Sequence, residues 1–278
     1  MLSVLDEIAS FSLAESWDNV GLMLGDPNQE ISGILIALDP TEDLLDEAIT
    51  SGINTIITHH PLIFNPITTI RTDQPFGRIL KKALKNNIAV VGCHTNLDIV
   101  SGGVNDILAT KLGLTDLQPL YPSKNTTHEA QTDTSPFGMG RIGHFSPPLD
   151  GKSLMSQLLS SLDIKAVQIV GDLPEEISTA AVCGGSGSDL AETAFNLGAQ
   201  VYITSEIKHN VARWAEANDF CMLDAGHFST ENVIVPAFAE ALQKAFTAKN
   251  FATKIIQTTK QVNPFRYCAK INDSIVIQ

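Results

Sequence analysis

Short apolar runs alternate along most of this chain with segments whose apolar residues fall at helical spacing. Gly33-Ile34-Leu35-Ile36-Ala37-Leu38, Thr55-Ile56-Ile57-Thr58, Ile88-Ala89-Val90-Val91, Val201-Tyr202-Ile203-Thr204 and Phe220-Cys221-Met222-Leu223 read as buried strands. Two segments starting at Glu42 and Ser188 carry the helical pattern. Each closes on a glycine, Gly52 or Gly198, suited to a left-handed cap. Strands alternating with helices predict an α/β fold with mainly parallel sheets.

The pattern repeats. At one constant offset Asp43 meets Asp189, Leu44 meets Leu190, Ala48 meets Ala194 and Gly52 meets Gly198. The strand after Gly52 then falls on the strand after Gly198, and residues 33–39 fall on residues 179–185. Further on, after a shorter interval in the second copy, His94 with Asp98 falls on His227 with Glu231. A helix follows each, over residues 104–112 and 233–246. The duplication predicts two α/β lobes related by a pseudo-two-fold axis, residues 1–122 and 123–278, with a cleft between them. Residues 122–152 are polar and rich in Pro, Gly, Ser and Thr, and read as the linker. Residues 153–163 read as a helix and 166–170 as a strand. The tail, 253–258 and 266–271, reads as two closing strands that could return to the first lobe.

Composition narrows the function. The formal charge of −13 argues against nucleic-acid binding, which needs clustered Lys and Arg to neutralise phosphate. The four cysteines form no C-x-x-C pair and read as small buried hydrophobes in a reducing compartment. The N-terminal residues lack a basic, then apolar, leader, and no apolar run approaches the roughly 20 residues that span a bilayer. A soluble, cytoplasmic protein with no membrane partner is expected.

The chemistry collects at strand ends, where α/β proteins place their sites. His59-His60-Pro61 ends one strand. Adjacent strand residues point to opposite faces, so the pair can share a site only where the backbone turns, and Pro61 favours that turn. By itself the pair could equally cap a strand. His94 and Asp98, and His227 and Glu231, are spaced to face one direction on a helical turn, or else to start a capped helix. Convergence of all three segments makes a metal site the better reading. Imidazoles with carboxylates suit zinc, iron or manganese, then nickel or cobalt, rather than calcium or magnesium. Up to four imidazoles and two carboxylates over-supply one ion and fit two. Gly184-Gly185-Ser186-Gly187-Ser188 reads as a tight strand-to-helix turn, with a phosphate cradle as its alternative. Glu206 and His209 lie opposite His59-His60 in the repeat; whether they line the cleft or the surface stays open.

Ser16-Trp17-Asp18-Asn19-Val20-Gly21-Leu22, Thr58-His59-His60-Pro61, His94-Thr95-Asn96-Leu97-Asp98 with Gly102-Gly103-Val104-Asn105, and Gly226-His227-Phe228-Ser229-Thr230-Glu231 together resemble the Nif-three-like proteins. These are also described as dinuclear-metal-centre hexameric proteins or GTP cyclohydrolase I type 2 homologues. The chain resembles the short form, without the domain that longer members insert. The resemblance implies a two-metal cleft between two lobes and a homohexameric ring. It implies His59, His60, Asp98, His227 and Glu231 as metal ligands, with His94 behind them or facing substrate. Thr204-Ser205-Glu206 departs from the Thr-Gly-Glu of many members but keeps the glutamate.

Two functions fit. One is a metal-dependent hydrolase acting on a nucleotide or similar small molecule, with Glu206 or His94 as proton shuttle and no catalytic residue assigned. The other is a non-catalytic metal-binding or regulatory ring protein that engages a partner.

Overall fold

β-Branched and aliphatic residues buried at every position make a parallel centre from β2 (Ile34–Ala37), β3 (Thr55–Thr58) and β4 (Ala89–Gly92), with β1 (Gly21–Leu24) antiparallel on β4. This is a computed structural model, and it describes residues 1–123, 137–271 and 274–277. Alternation along β2 sorts the core into two faces. Ile34, Ile36 and Leu38 pack with Val4, Leu5, Phe238 and Leu242, and Leu35 and Ala37 pack with Leu44, Leu45, Leu80 and Ala83. The Glu42–Thr50 helix starts where Thr41 accepts a hydrogen bond from the Leu44 amide at 3.2 Å.

The second sheet contains β5 (Thr115–Pro122), β6 (Gly138–Leu149), β7 (Gln168–Val170), β8 (Ile177–Ser186), β9 (Val201–Ser205) and β10 (Cys221–Asp224) in the order β5-β6-β8-β9-β10-β7. Its β8-β9-β10 centre is parallel and the flanking pairs are antiparallel. β11 (Ile255–Gln257) returns to pair with β2, as the tail allowed, whereas β12 (Cys268–Ile271) and β13 (Ser274–Ile277) form a separate hairpin.

The linker expectation needs correction. Residues 124–136 lie outside the described residues, but 138–149 are a twelve-residue strand between β5 and β8. Its glycines and prolines mimic loop composition. Gly138 and Gly143 are small because a Cβ would come within 2.4 and 2.7 Å of the β5 backbone or side chains. Leu108 and Ala109 of the Val104–Lys111 helix pack under the second sheet, and the Ile234–Ala248 helix packs under the first. Each sheet is thus covered partly by a helix whose chain position belongs with the other.

Pairing within the two centres follows the repeat. Ile34 opposes Thr55 as Ala180 opposes Val201. On the next strand the register shifts the motif equivalence by one residue: Gly92 opposes Thr58, but Asp224 opposes Thr204. The helix Thr95–Ile99 therefore matches His227–Glu231, and His94 matches Gly226 rather than His227. One residue on a helix is about 100° of rotation, so the two H-x-x-x-acid elements are not presented alike.

Candidate metal centre

The parallel strand ends deliver the histidines. Amides of His59 and His60 extend the ladder to the carbonyls of Ala37 and Leu38, at 3.2 and 2.9 Å, before Pro61 ends it. Both rings then turn to one place, with centroids 5.1 Å apart. His94 stands 5.2 Å from His59, and His227 stands 5.2 Å from His60. Among the described residues, two groups could hold a metal ion: His59, His60 and His94, and His60, His227 and Glu231. Asp98 comes within 3.7 Å of His59 Nε2. All five expected ligands and His94 therefore converge. His209, exposed at the start of the His209–Ala217 helix, lies in neither group.

Each imidazole is held from behind. His59 Nδ1 donates to the Cys93 carbonyl at 2.9 Å, His60 Nδ1 to Asp39 at 2.7 Å, His94 Nδ1 to Asp18 at 2.9 Å and His227 Nδ1 to Glu206 at 2.9 Å. These acceptors keep the proton on Nδ1 and leave each Nε2 free, the arrangement in which protein imidazoles bind metals. Asp18 and Asp39 were not singled out from the sequence, although Asp18 lies in the Trp17-Asp18-Asn19 motif and Asp39 two residues beyond β2.

With Nδ1 protonated, the Nε2 atoms of His60 and His227 are acceptors. They lie 3.3 Å apart, and each is 2.9 Å from Glu231 Oε2, a third acceptor. Among the described residues, buried His59 Nε2 and Asp98 Oδ1 have no hydrogen-bond partner, and Glu231 Oε2 faces only ring nitrogens that carry no proton in this tautomer. Lone pairs crowded in this way need a cation among them, either protons on the rings or a metal ion. Without a metal, burial works against charge on His60, but Asp39 and Glu231 outweigh it and push its pKa up to about 10. Glu231, helped by Glu206, pushes His227 up to about 9. Burial would raise the Glu231 pKa, yet the three imidazoles hold it well below the usual range, while burial raises that of Asp98. Burial likewise opposes the charge on Asp18, but His94 and Thr95 hold it at about 2. The nitrogen and oxygen donors fit a borderline divalent cation.

The second sheet makes room for Glu231. Gly185 adopts φ +64°, and a Cβ there would come 1.9 Å from Glu231 Oε1. The glycine loop is a turn and not a phosphate cradle. Its Gly184, Gly185 and Gly187 amides already donate to Asn105 Oδ1, Thr230 Oγ1 and Thr204 Oγ1, at 2.9, 3.0 and 3.1 Å. Buried Asn105 also donates to the Asp98 carbonyl at 3.0 Å, so one side chain ties the Asp98 helix to β8. Glu206 itself is left-handed at φ 55°, a strained backbone held while its carboxylate reaches His227. A cavity of about 500 Å3 opens beside His94, Asp98, His227 and Glu231. No helix among the described residues is long and apolar enough to cross a membrane.

Known proteins resemble this chain in sequence and fold. A relative from Clostridium acetobutylicum, named GTP cyclohydrolase 1 type 2 homolog, is 34% identical over 268 residues, covering 96% of this chain and 97% of that protein. The Staphylococcus aureus hypothetical protein SA1388 superposes with a TM-score of 0.88 at 31% identity, over 96% of this chain and 97% of the other. A Bacillus cereus protein related to NIF3 gives 0.89 at 27% identity, over 95% and 97%. The family model Duf34/NIF3 (NGG1p interacting factor 3) matches residues 1–264, and this chain belongs to that family.

Proposed function

We propose that this protein is a hydrolase that uses two divalent ions, zinc, iron or manganese first, to act on a nucleotide-like small molecule. His59, His60, Asp98, His227 and Glu231 hold the ions. One observation carries the reading: buried lone pairs on His59, His60, His227, Asp98 and Glu231 meet with no donor among the described residues when each ring proton sits on Nδ1. Bound divalent ions would supply Lewis acidity and acidify water. Glu231 faces both ligand groups, with Oε1 3.8 Å from His59 and Oε2 2.9 Å from His60 and His227, so its two oxygens would be available to either group. Asp39 and Glu206 fix the rings of His60 and His227. His94 lines the open cavity with Asp18 behind it, which favours it over Glu206 as the group that moves a proton. The names of the curated relatives support the nucleotide-like class. A cytoplasmic homohexamer goes with this reading and is checked by light scattering.

The test is metal analysis of the purified protein with turnover over a nucleotide and nucleoside panel. Glu231→Gln should abolish both metal retention and turnover, whereas the exposed Glu175→Gln should change neither. Fewer than about one ion per chain, with weak rebinding, would sink the two-ion reading. Full metal content without turnover on any member of the panel would favour the non-catalytic alternative.

A further inference from the structure

The outer part of the cavity takes no part in holding the ions. At its mouth Trp17 and Phe64, 59% and 46% exposed, stand edge to face with centroids 5.9 Å apart. Each is also edge-on to His94, at 6.2 and 6.1 Å. Tyr121, Met139 and Leu190 continue an apolar wall behind them. Open aromatic faces beside a polar centre are stacking platforms for a planar ring.

The charges point the same way. Among its described lining residues the cavity has no lysine or arginine; apart from imidazoles and the proposed metal ligands Asp98 and Glu231, its charged side chains are Glu15 and Asp189. Lys208, next to the rim, is already paired with Asp189 at 2.7 Å. The glycine loop has spent three of its amides on side-chain acceptors. Phosphate groups are usually met by guanidinium, ammonium or free backbone amides. Away from the ions, a polyphosphate tail would meet Glu15 and the Asp189–Lys208 pair instead.

Building on the hydrolase reading, we propose that the site takes a planar heteroaromatic molecule of low charge, a nucleobase or nucleoside, stacked on Trp17 and Phe64. By the same lining it discriminates against nucleoside triphosphates. The test uses metal-loaded protein with guanine, guanosine and guanosine triphosphate, read by tryptophan fluorescence and calorimetry without requiring turnover. Guanine or guanosine should bind at least about tenfold more tightly than the triphosphate. The preferred member of that pair tells whether the site reads the base alone or needs the ribose. Trp17→Ala and, separately, Phe64→Leu should weaken ring binding roughly tenfold with metal content unchanged. Tighter binding of the triphosphate, no binding of either ring ligand, or ring binding indifferent to both substitutions would overturn the proposal. Ring binding without hydrolysis would sink the hydrolase reading alone. Hydrolysis with the triphosphate preferred would sink this inference alone.

Discussion

Glu231 Oε2 stands 2.9 Å from His60 Nε2, and that contact joins an acid placed after the second sheet to an imidazole at the end of the first. The same oxygen is 2.9 Å from His227, one turn earlier on its own helix. The centre therefore exists only when both sheets are packed together, and any ion bound there would stabilise that packing.

Gly185→Ala tests how closely the second sheet must approach. The new methyl would meet Glu231 Oε1 and would sit at φ +64°. Overpacking and a left-handed alanine together should destabilise by about 1–3 kcal/mol in urea unfolding. Metal retention should fall with it. Wild-type stability and metal content would show that Glu231 can move aside freely.

Asp39→Asn and Glu206→Gln keep the shape of the groups behind His60 and His227 but remove their charge. An amide can present its NH2 to Nδ1 and so favour the wrong tautomer. Each should weaken metal binding by about 10–100-fold with little change in unfolding of the metal-free protein. Asp18→Asn acts behind His94 and should lower turnover more than metal content. Equal metal affinities across the three variants and wild type, from chelator competition, would contradict the assignment.

Stability of the metal-free protein should fall on the alkaline side. His60, raised to about 10, and His227, raised to about 9, have folded pKa values above the ordinary 6.5. Their contribution is fully present below pH 6.5 and is lost as pH rises through those folded values. Glu231 is shifted the other way, and its contribution is lost as pH falls below the ordinary 4.5. Metal-loaded protein has exchanged ring protons for ions, so it should keep its alkaline stability and release ions on acidification. Melting temperatures at about pH 6 and about pH 10, with and without chelator, check this. Equal alkaline losses in both forms would count against ion binding at these rings.

The candidate centre was legible in the sequence because its candidate ligands follow strands whose apolar runs are unambiguous. His59-His60 before Pro61 and the two H-x-x-x-acid elements needed only periodicity to be placed. The exchange of covering helices between sheets was hidden, since amphipathic faces do not say which sheet they cover. The strand Gly138–Leu149 was missed because its glycines serve close approach and not a loop. The one-residue shift that separates His94 from His227 depends on strand register, which motif alignment does not contain. Asp18 and Asp39 become meaningful only once the imidazoles they hold are known.

Arg141 fixes Asp98 from outside the centre. It is 2% exposed, pairs with Asp106, and donates through Nη1 to the carbonyls of Gly138 and Gly140 at 2.6 and 2.7 Å. Nη2 donates to the carbonyls of Ile99 and Val100 at 3.3 and 3.2 Å, where the short helix bearing Asp98 ends. Arg141→Met removes every one of these donors. Asp106 keeps only the Gly102 amide and loses its cation, the Val100 carbonyl keeps only the Gly103 amide, and the carbonyls of Gly138, Gly140 and Ile99 lose their guanidinium bonds. A loss of about 3–5 kcal/mol in urea unfolding is expected. Arg141→Lys keeps the charge but cannot span both pairs of carbonyls, so it should fall between methionine and wild type. Metal affinity should decline in the same order, because the end of the Asp98 helix loses one of its two ties, the other being Asn105, before any candidate ligand is changed. A methionine variant that unfolds like wild type would show that the guanidinium network holds nothing in place.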